Sequence, residues 1–99
     1  MSPLSAHPPV YEDLAIVVDE DVPAAQVRDV IIGAGAPLVR SITLFDVYRG
    51  AQVTAGSRSL AYRLTYQAED RTLTDEEVAR VRDKIVRRLE EELDARLRG

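Results

Sequence analysis

Apolar residues recur along this chain in two periods, one of strands and one of helices. Leu14 to Val18 is a short apolar run, rich in β-branched residues, that stops at Asp19-Glu20-Asp21, and it predicts a buried first strand. Pro23 suits the first turn of a helix, where its missing N–H costs nothing, and Val27, Val30 and Ile31 follow at helical spacing. Gly33 and Gly35 are expected to end that helix, and Pro37 to prevent its resumption. Leu38 to Tyr48, rich in β-branched and aromatic residues, predicts a second strand, and Arg49-Gly50 opens a loop that runs through Gly56.

The segment from Arg58 to Gln67 alternates most clearly. Leu60, Tyr62, Leu64 and Tyr66 share one parity and should face the core. Ser59, Ala61, Arg63, Thr65 and Gln67 share the other and should face outward. Thr74-Asp75-Glu76-Glu77 is a capping box, in which a Thr hydroxyl meets the N–H three residues on and Glu77 reaches back. Val78, Val81, Ile85, Leu89 and Leu93 then mark an amphipathic helix of about five turns. Ala95 to Arg98 fits either a last helical turn or a short edge strand, and periodicity does not decide between them.

The order of elements predicts an α+β fold. A β-α-β-β-α-β chain with right-handed crossovers makes a ferredoxin-like sandwich of a mostly antiparallel sheet, with both helices on one face. Its third strand lies between the first two, and the other sheet face stays open. Met1 to Pro9 holds Pro3, Pro8 and Pro9 and is expected to be an extended strap or linker, with the domain proper over residues 10–99.

Composition narrows the chemistry. The chain has 99 residues and no cysteine, so a disulfide framework, a thiolate metal site and a Cys nucleophile are excluded. Its one histidine, His7, excludes a His-pair metal site and sits in the Pro-rich strap. No apolar run has the length of a membrane span, and Met1 to Pro9 lacks the features of a signal peptide, which points to a cytoplasmic protein. There is no GxGxxG, P-loop or nucleophile elbow. Asp19-Glu20-Asp21 lacks the spacing of a cation loop, so no metal and no catalytic residue is expected.

The formal net charge of -4 argues against a nucleic-acid binder as a single number. Resolved along the chain it reads differently. Residues 12–29 carry -5, residues 40–71 carry +2 and residues 74–98 carry -1. Screening limits each charge to about 8–10 Å, so the locally basic central hairpin matters more than the total. By parity the open sheet face gathers Ala15, Val17, Thr43, Phe45, Val47, Arg49, Ser59, Ala61, Arg63, Thr65 and Gln67. An aromatic, small residues and arginines on an open sheet suit single-stranded bases. The competing expectation is a face covered by another domain or by a second copy.

Four linked blocks carry a resemblance. Asp13-Leu14-Ala15-Ile16-Val17-Val18, Leu44-Phe45-Asp46-Val47-Tyr48-Arg49-Gly50, Ser59-Leu60-Ala61-Tyr62-Arg63-Leu64-Thr65-Tyr66 and Asp70-Arg71-Thr72-Leu73-Thr74-Asp75-Glu76-Glu77-Val78 resemble the ferredoxin-fold anticodon-binding domain that closes the beta subunit of bacterial phenylalanyl-tRNA synthetase. The likeness runs from about His7 to Arg98, and Leu93 to Arg98 resembles the family's carboxyl terminus, which favours a short final strand. The resemblance implies a non-catalytic module that contacts the anticodon region of phenylalanine tRNA. It implies as partners the rest of the beta subunit and its alpha subunit, in an (αβ)2 enzyme that uses ATP and Mg2+ elsewhere, with no cofactor in this domain. The chain would then be a terminal domain or a short paralogue.

Four positions depart from the family's usual residues. Glu12 stands where Arg is usual, His7 where an aromatic is common, Ser57-Arg58 where two bases are frequent, and Asp94 where Gly is frequent. The first and third remove positive charge, which is expected to weaken RNA binding more than the fold.

Parity and charge nominate Arg49, Arg58 and Arg63 for phosphates or base edges and Phe45 for stacking. The alternatives are an interaction domain whose open face packs on a neighbouring domain or a second copy, and a small-molecule regulatory module.

Overall fold

The computed structural model describes residues 7–50, 53 and 55–98. Its elements are β1 (Val10–Asp19), α1 (Ala24–Gly35), β2 (Val39–Tyr48), β3 (Ser57–Tyr66), α2 (Asp75–Leu93) and β4 (Arg96–Leu97). The strands form one sheet in the order β2-β3-β1-β4, and every pairing in it is antiparallel. This is the ferredoxin-like β-α-β-β-α-β arrangement, with β3 between β1 and β2 and the short final strand in place. The expected linker at Met1 to Ala6 lies outside the described residues. His7, in the strap, is tied to the domain: its carbonyl accepts from Gln67 Nε2 at 2.9 Å.

Side-chain parity builds the core. Leu14, Ile16 and Val18 of β1 and Leu60, Tyr62, Leu64 and Tyr66 of β3 pack with Val27, Val30, Ile31 and Ala34 of α1 and with Val78, Ile85 and Leu89 of α2. Both helices therefore cover one face of the sheet. Leu60, Leu64, Ile16, Ile31 and Ile85 are fully buried. Each such side chain contributes roughly 1.5–3 kcal/mol relative to exposure. The two buried tyrosines keep their hydroxyls bonded, Tyr62 to the Ala24 carbonyl at 2.8 Å and Tyr66 to Glu12 Oε1 at 2.9 Å.

The capping box at the start of α2 is complete. Glu77 N–H donates to Thr74 Oγ1 at 3.2 Å, and Thr74 N–H donates to Glu77 Oε1 at 3.2 Å. Arg71 adds an ion pair to Glu77, and its hydrogen bonds are the main cause of a Glu77 carboxyl held below the usual carboxylate range. The helix stops at Asp94, which takes the left-handed conformation at φ 53.

Three local expectations are corrected. β1 starts at Val10, ahead of the apolar run, because Val10 to Asp13 continue the ladder with Tyr66 to Arg63. α1 runs through Gly33 and ends at Gly35, so the expected stop falls at the second glycine and not at the first. Gly33 has open space around it, whereas a Cβ on Gly35 would fall 2.3 Å from Val39 Cγ2. Gly35 thus serves close packing of the helix end on β2. Finally, β2 carries register shifts between Val39 and Ser41 and between Leu44 and Asp46.

Candidate nucleic-acid interface

The sheet face away from the helices is a ladder of rows, since residues paired across strands point to the same side. Tyr11, Thr65 and Ser41 form one row, and Asp13, Arg63 and Thr43 the next. Ala15, Ala61 and Asp46 form a third, and Val17, Ser59 and Tyr48 a fourth. The irregularity at Phe45 sets the last two rows. From Ser41 to Leu44 the odd residues of β2 belong to the open face; beyond it Asp46 and Tyr48 do.

This corrects one expected member of the face. Val47 pairs with Leu60, a core residue, and so turns toward the helix side, where the edge of the sheet leaves it 40% exposed. Tyr48 takes its place on the open side. Val17 and Ser59 share that side but are buried, together with Val53 of the β2–β3 loop, and none of the three belongs to the main core cluster. Of Val17, Ser59 and Tyr48 in that row, Tyr48 is the exposed one.

Among the nominated residues, Phe45 and Arg63 come together. Phe45 is 50% exposed, and the Arg63 guanidinium carbon lies 5.2 Å from the centre of its ring. Such a contact at an exposed site contributes about 0.5–1 kcal/mol. Arg63 also forms a two-pronged ion pair with Asp13, with Nε 2.8 Å from Oδ1 and Nη2 3.0 Å from Oδ2. Those hydrogen bonds, more than simple charge proximity, hold the Asp13 carboxyl below its usual range. The pair is solvent-exposed, so it positions Arg63 more than it stabilises the fold.

Arg49 and Arg58 sit elsewhere. Arg58 pairs with Val18 and thus points to the helix side, where Nη2 donates to the Val22 carbonyl at 2.7 Å. Arg49 Nε reaches Glu20 Oε1 at 3.0 Å. Both arginines hold the turn between β1 and α1, and Glu20 N–H closes the same turn onto the Gly56 carbonyl at 2.9 Å.

Sequence reasoning missed two aromatic members of the face and one cation. Tyr11 is 65% exposed and lies on the part of β1 that precedes its apolar run. Tyr48 is 37% exposed and has the Arg98 guanidinium carbon 5.0 Å from its ring centre. The early start of β1, signalled by Val10 and Tyr11, would have found the first. No pattern in β2 announces the irregularity that turns Tyr48 outward, nor does any signal bring Arg98 beside it. Glu12 carries the opposite lesson. It pairs with Leu64, faces the helix side and is neutralised by Arg82 of α2, so its charge does not act on the open face.

The face thus presents three exposed aromatic rings, two of them capped by guanidinium groups, on a rigid antiparallel ladder. Rings of this kind stack unpaired bases, and arginines beside them meet phosphates or base edges. Among the described residues there is no group of His, Asp and Glu able to hold a metal ion. No helix among them is long and apolar enough to cross a membrane.

An open antiparallel sheet backed by two helices defines the ferredoxin-like class of α+β domain. Residues 5–98 match the family model of the ferredoxin-fold anticodon binding domain, and the chain belongs to that family. It is similar to the phenylalanine–tRNA ligase beta subunit of Moorella thermoacetica, at 55% identity over 96 residues, which covers 97% of this chain and 12% of the relative. The beta subunit of Geobacillus kaustophilus is 45% identical over 97 residues, covering 98% of this chain and 12% of that protein. The beta subunit of Corynebacterium efficiens is 48% identical over 96 residues, covering 97% and 12%. The chain therefore spans about 12% of the length of these relatives.

Proposed function

We propose that this chain is the anticodon-binding module of a phenylalanine–tRNA ligase beta subunit, and that it holds the anticodon region of phenylalanine tRNA on its open sheet face without taking part in catalysis. The observation that carries this reading is the pairing of exposed rings with guanidinium groups, Phe45 with Arg63 and Tyr48 with Arg98, on the one sheet face that the helices leave bare. The family and its ligase relatives supply the identity of the RNA. Phe45 and Tyr48 stack unpaired bases, while Arg63 and Arg98 contact phosphates or base edges. Arg49 and Arg58 act indirectly, by fixing the turn at Glu20 and Val22. ATP and Mg2+ belong to another part of the enzyme, and this module needs no cofactor. Its partners are the rest of the beta subunit and the alpha subunit, and its compartment is the cytoplasm.

Titration of the chain with phenylalanine tRNA at several salt concentrations tests this. Affinity should fall steeply as salt rises, because each phosphate contact releases counterions. The double variant Phe45→Ala/Tyr48→Ala should bind more weakly, since each stacked base is worth about 1–3 kcal/mol. Absence of binding at low salt, or equal binding by the double variant, overturns the reading.

A further inference from the structure

At the end of the open face away from Tyr48 lies a shallow hollow of ≈ 450 Å³ lined by Tyr11, Glu12, Asp13 and Arg63. Tyr11 and Asp13 occupy alternate positions of β1, and Arg63 is the cross-strand partner of Asp13 on β3, so all three present their side chains on this face. Tyr11 offers a ring that is 65% exposed. Asp13 offers an ionised carboxylate: both oxygens accept from Arg63, and each keeps a lone pair for another donor. Arg63 keeps its Nη1 protons. The hollow therefore combines a stacking surface, an anionic acceptor and a cationic donor side by side.

We propose that this hollow is a base subsite for one unpaired nucleobase that carries an exocyclic amino group, stacked on Tyr11, with the amino group donating to Asp13 and an adjacent acceptor of the base receiving from Arg63. Adenine, cytosine and guanine each carry such a group, whereas uracil presents only carbonyl oxygens and one ring N–H. The phosphate next to the base is not the ligand of this hollow, because the Asp13 carboxylate would repel it. The subsite rests on the RNA-binding reading above and extends it along the sheet. Six residues of β1 separate the Tyr11 row from the Val17 row that Tyr48 shares, or about 20 Å of strand, so the two ends hold different nucleotides of one RNA strand.

The test uses five-nucleotide oligoadenylate and oligouridylate, titrated at low salt into the 99-residue chain and its variants by fluorescence anisotropy, with each variant's unfolding midpoint measured alongside. Tyr11→Ala should weaken oligoadenylate binding by about 5-fold or more. Asp13→Ala should shrink the ratio of adenylate to uridylate affinity, even as the freed Arg63 raises binding of both through phosphate contacts. An unchanged ratio in Asp13→Ala, or unaltered binding in Tyr11→Ala while Tyr48→Ala loses affinity, overturns the subsite and leaves the RNA-binding reading standing. Failure of the wild-type chain to bind either oligomer overturns both.

Discussion

Glu12 on β1 accepts a hydrogen bond from the Tyr66 hydroxyl on β3, at 2.9 Å, and its second carboxylate oxygen pairs with Arg82 on α2. One acidic side chain thus ties two strands to the long helix at the edge of the core. Glu12 and Arg82 are only 20% and 32% exposed, so this pair is worth more than a surface ion pair. Glu12→Arg, the residue usual in the family, should destabilise the chain by about 1–3 kcal/mol, because it leaves the Tyr66 hydroxyl without its acceptor and sets two cations together. Combining it with Arg82→Glu should recover part of that loss in a double-mutant cycle followed by urea unfolding. Stability should respond more than RNA affinity in these variants, since the Glu12 carboxylate bonds Tyr66 and Arg82 on the helix side of the sheet.

Two glycines of α1 should respond in opposite directions. Gly33 has open space around it, so Gly33→Ala should stabilise by about 0.5–1 kcal/mol through helix propensity. Gly35→Ala would drive a methyl group to 2.3 Å from Val39 Cγ2, and it should destabilise by about 1–3 kcal/mol. Thermal unfolding of the two variants distinguishes this arrangement from one in which both glycines merely stop the helix.

Asp94 follows the last turn of α2 with φ 53, a region that an L side chain enters at a cost. Its carboxylate also lies at the negative end of the helix dipole. Asp94→Gly should therefore raise stability by about 0.5–1 kcal/mol, read as a higher urea midpoint at unchanged slope.

The tyrosines make alkaline pH a probe of the core. Burial is the first cause that pushes the Tyr62 hydroxyl up to about 12 from its ordinary 10.0. Burial, with help from Glu12, pushes Tyr66 up as well. Both groups are neutral in the folded chain where the unfolded chain has begun to ionise. Their contribution is complete below pH 10 and is lost as pH rises through the folded values. Unfolding midpoints should fall across pH 10–12, and Tyr62→Phe should flatten part of that fall while losing the bond to the Ala24 carbonyl. An equally steep fall in Tyr62→Phe would remove Tyr62 from this account.

The legibility of the chain follows from what each pattern encodes. The alternation from Leu60 to Tyr66 reports burial directly, and those residues are all in the core. The capping box at Thr74 is local in sequence, so its chemistry needs no tertiary partner. The charge of Glu12 was visible, but its partner lies 70 residues away on α2. Arg58 was visible as a cation, yet its direction depends on a register that places it beside Val18. The same holds for Tyr48, whose side of the sheet is set by an irregularity three residues earlier.

That irregularity yields the sharpest test of the interface. With unbroken alternation from Phe45, Val47 would face the open side and Tyr48 the helices. The observed register reverses this, pairing Val47 with Leu60 and Tyr48 with Ser59. Tyr48→Ala should weaken RNA binding by about 1–3 kcal/mol, the worth of one stacked base, and leave folding stability nearly unchanged. Val47→Ala should do the reverse, lowering stability modestly because the residue is 40% exposed, with little effect on RNA affinity. Measuring affinity by anisotropy and stability by urea unfolding for both variants separates the two arrangements. If Val47→Ala costs affinity and Tyr48→Ala does not, the strand lies in the unbroken register, with Tyr48 on the helix side of the sheet.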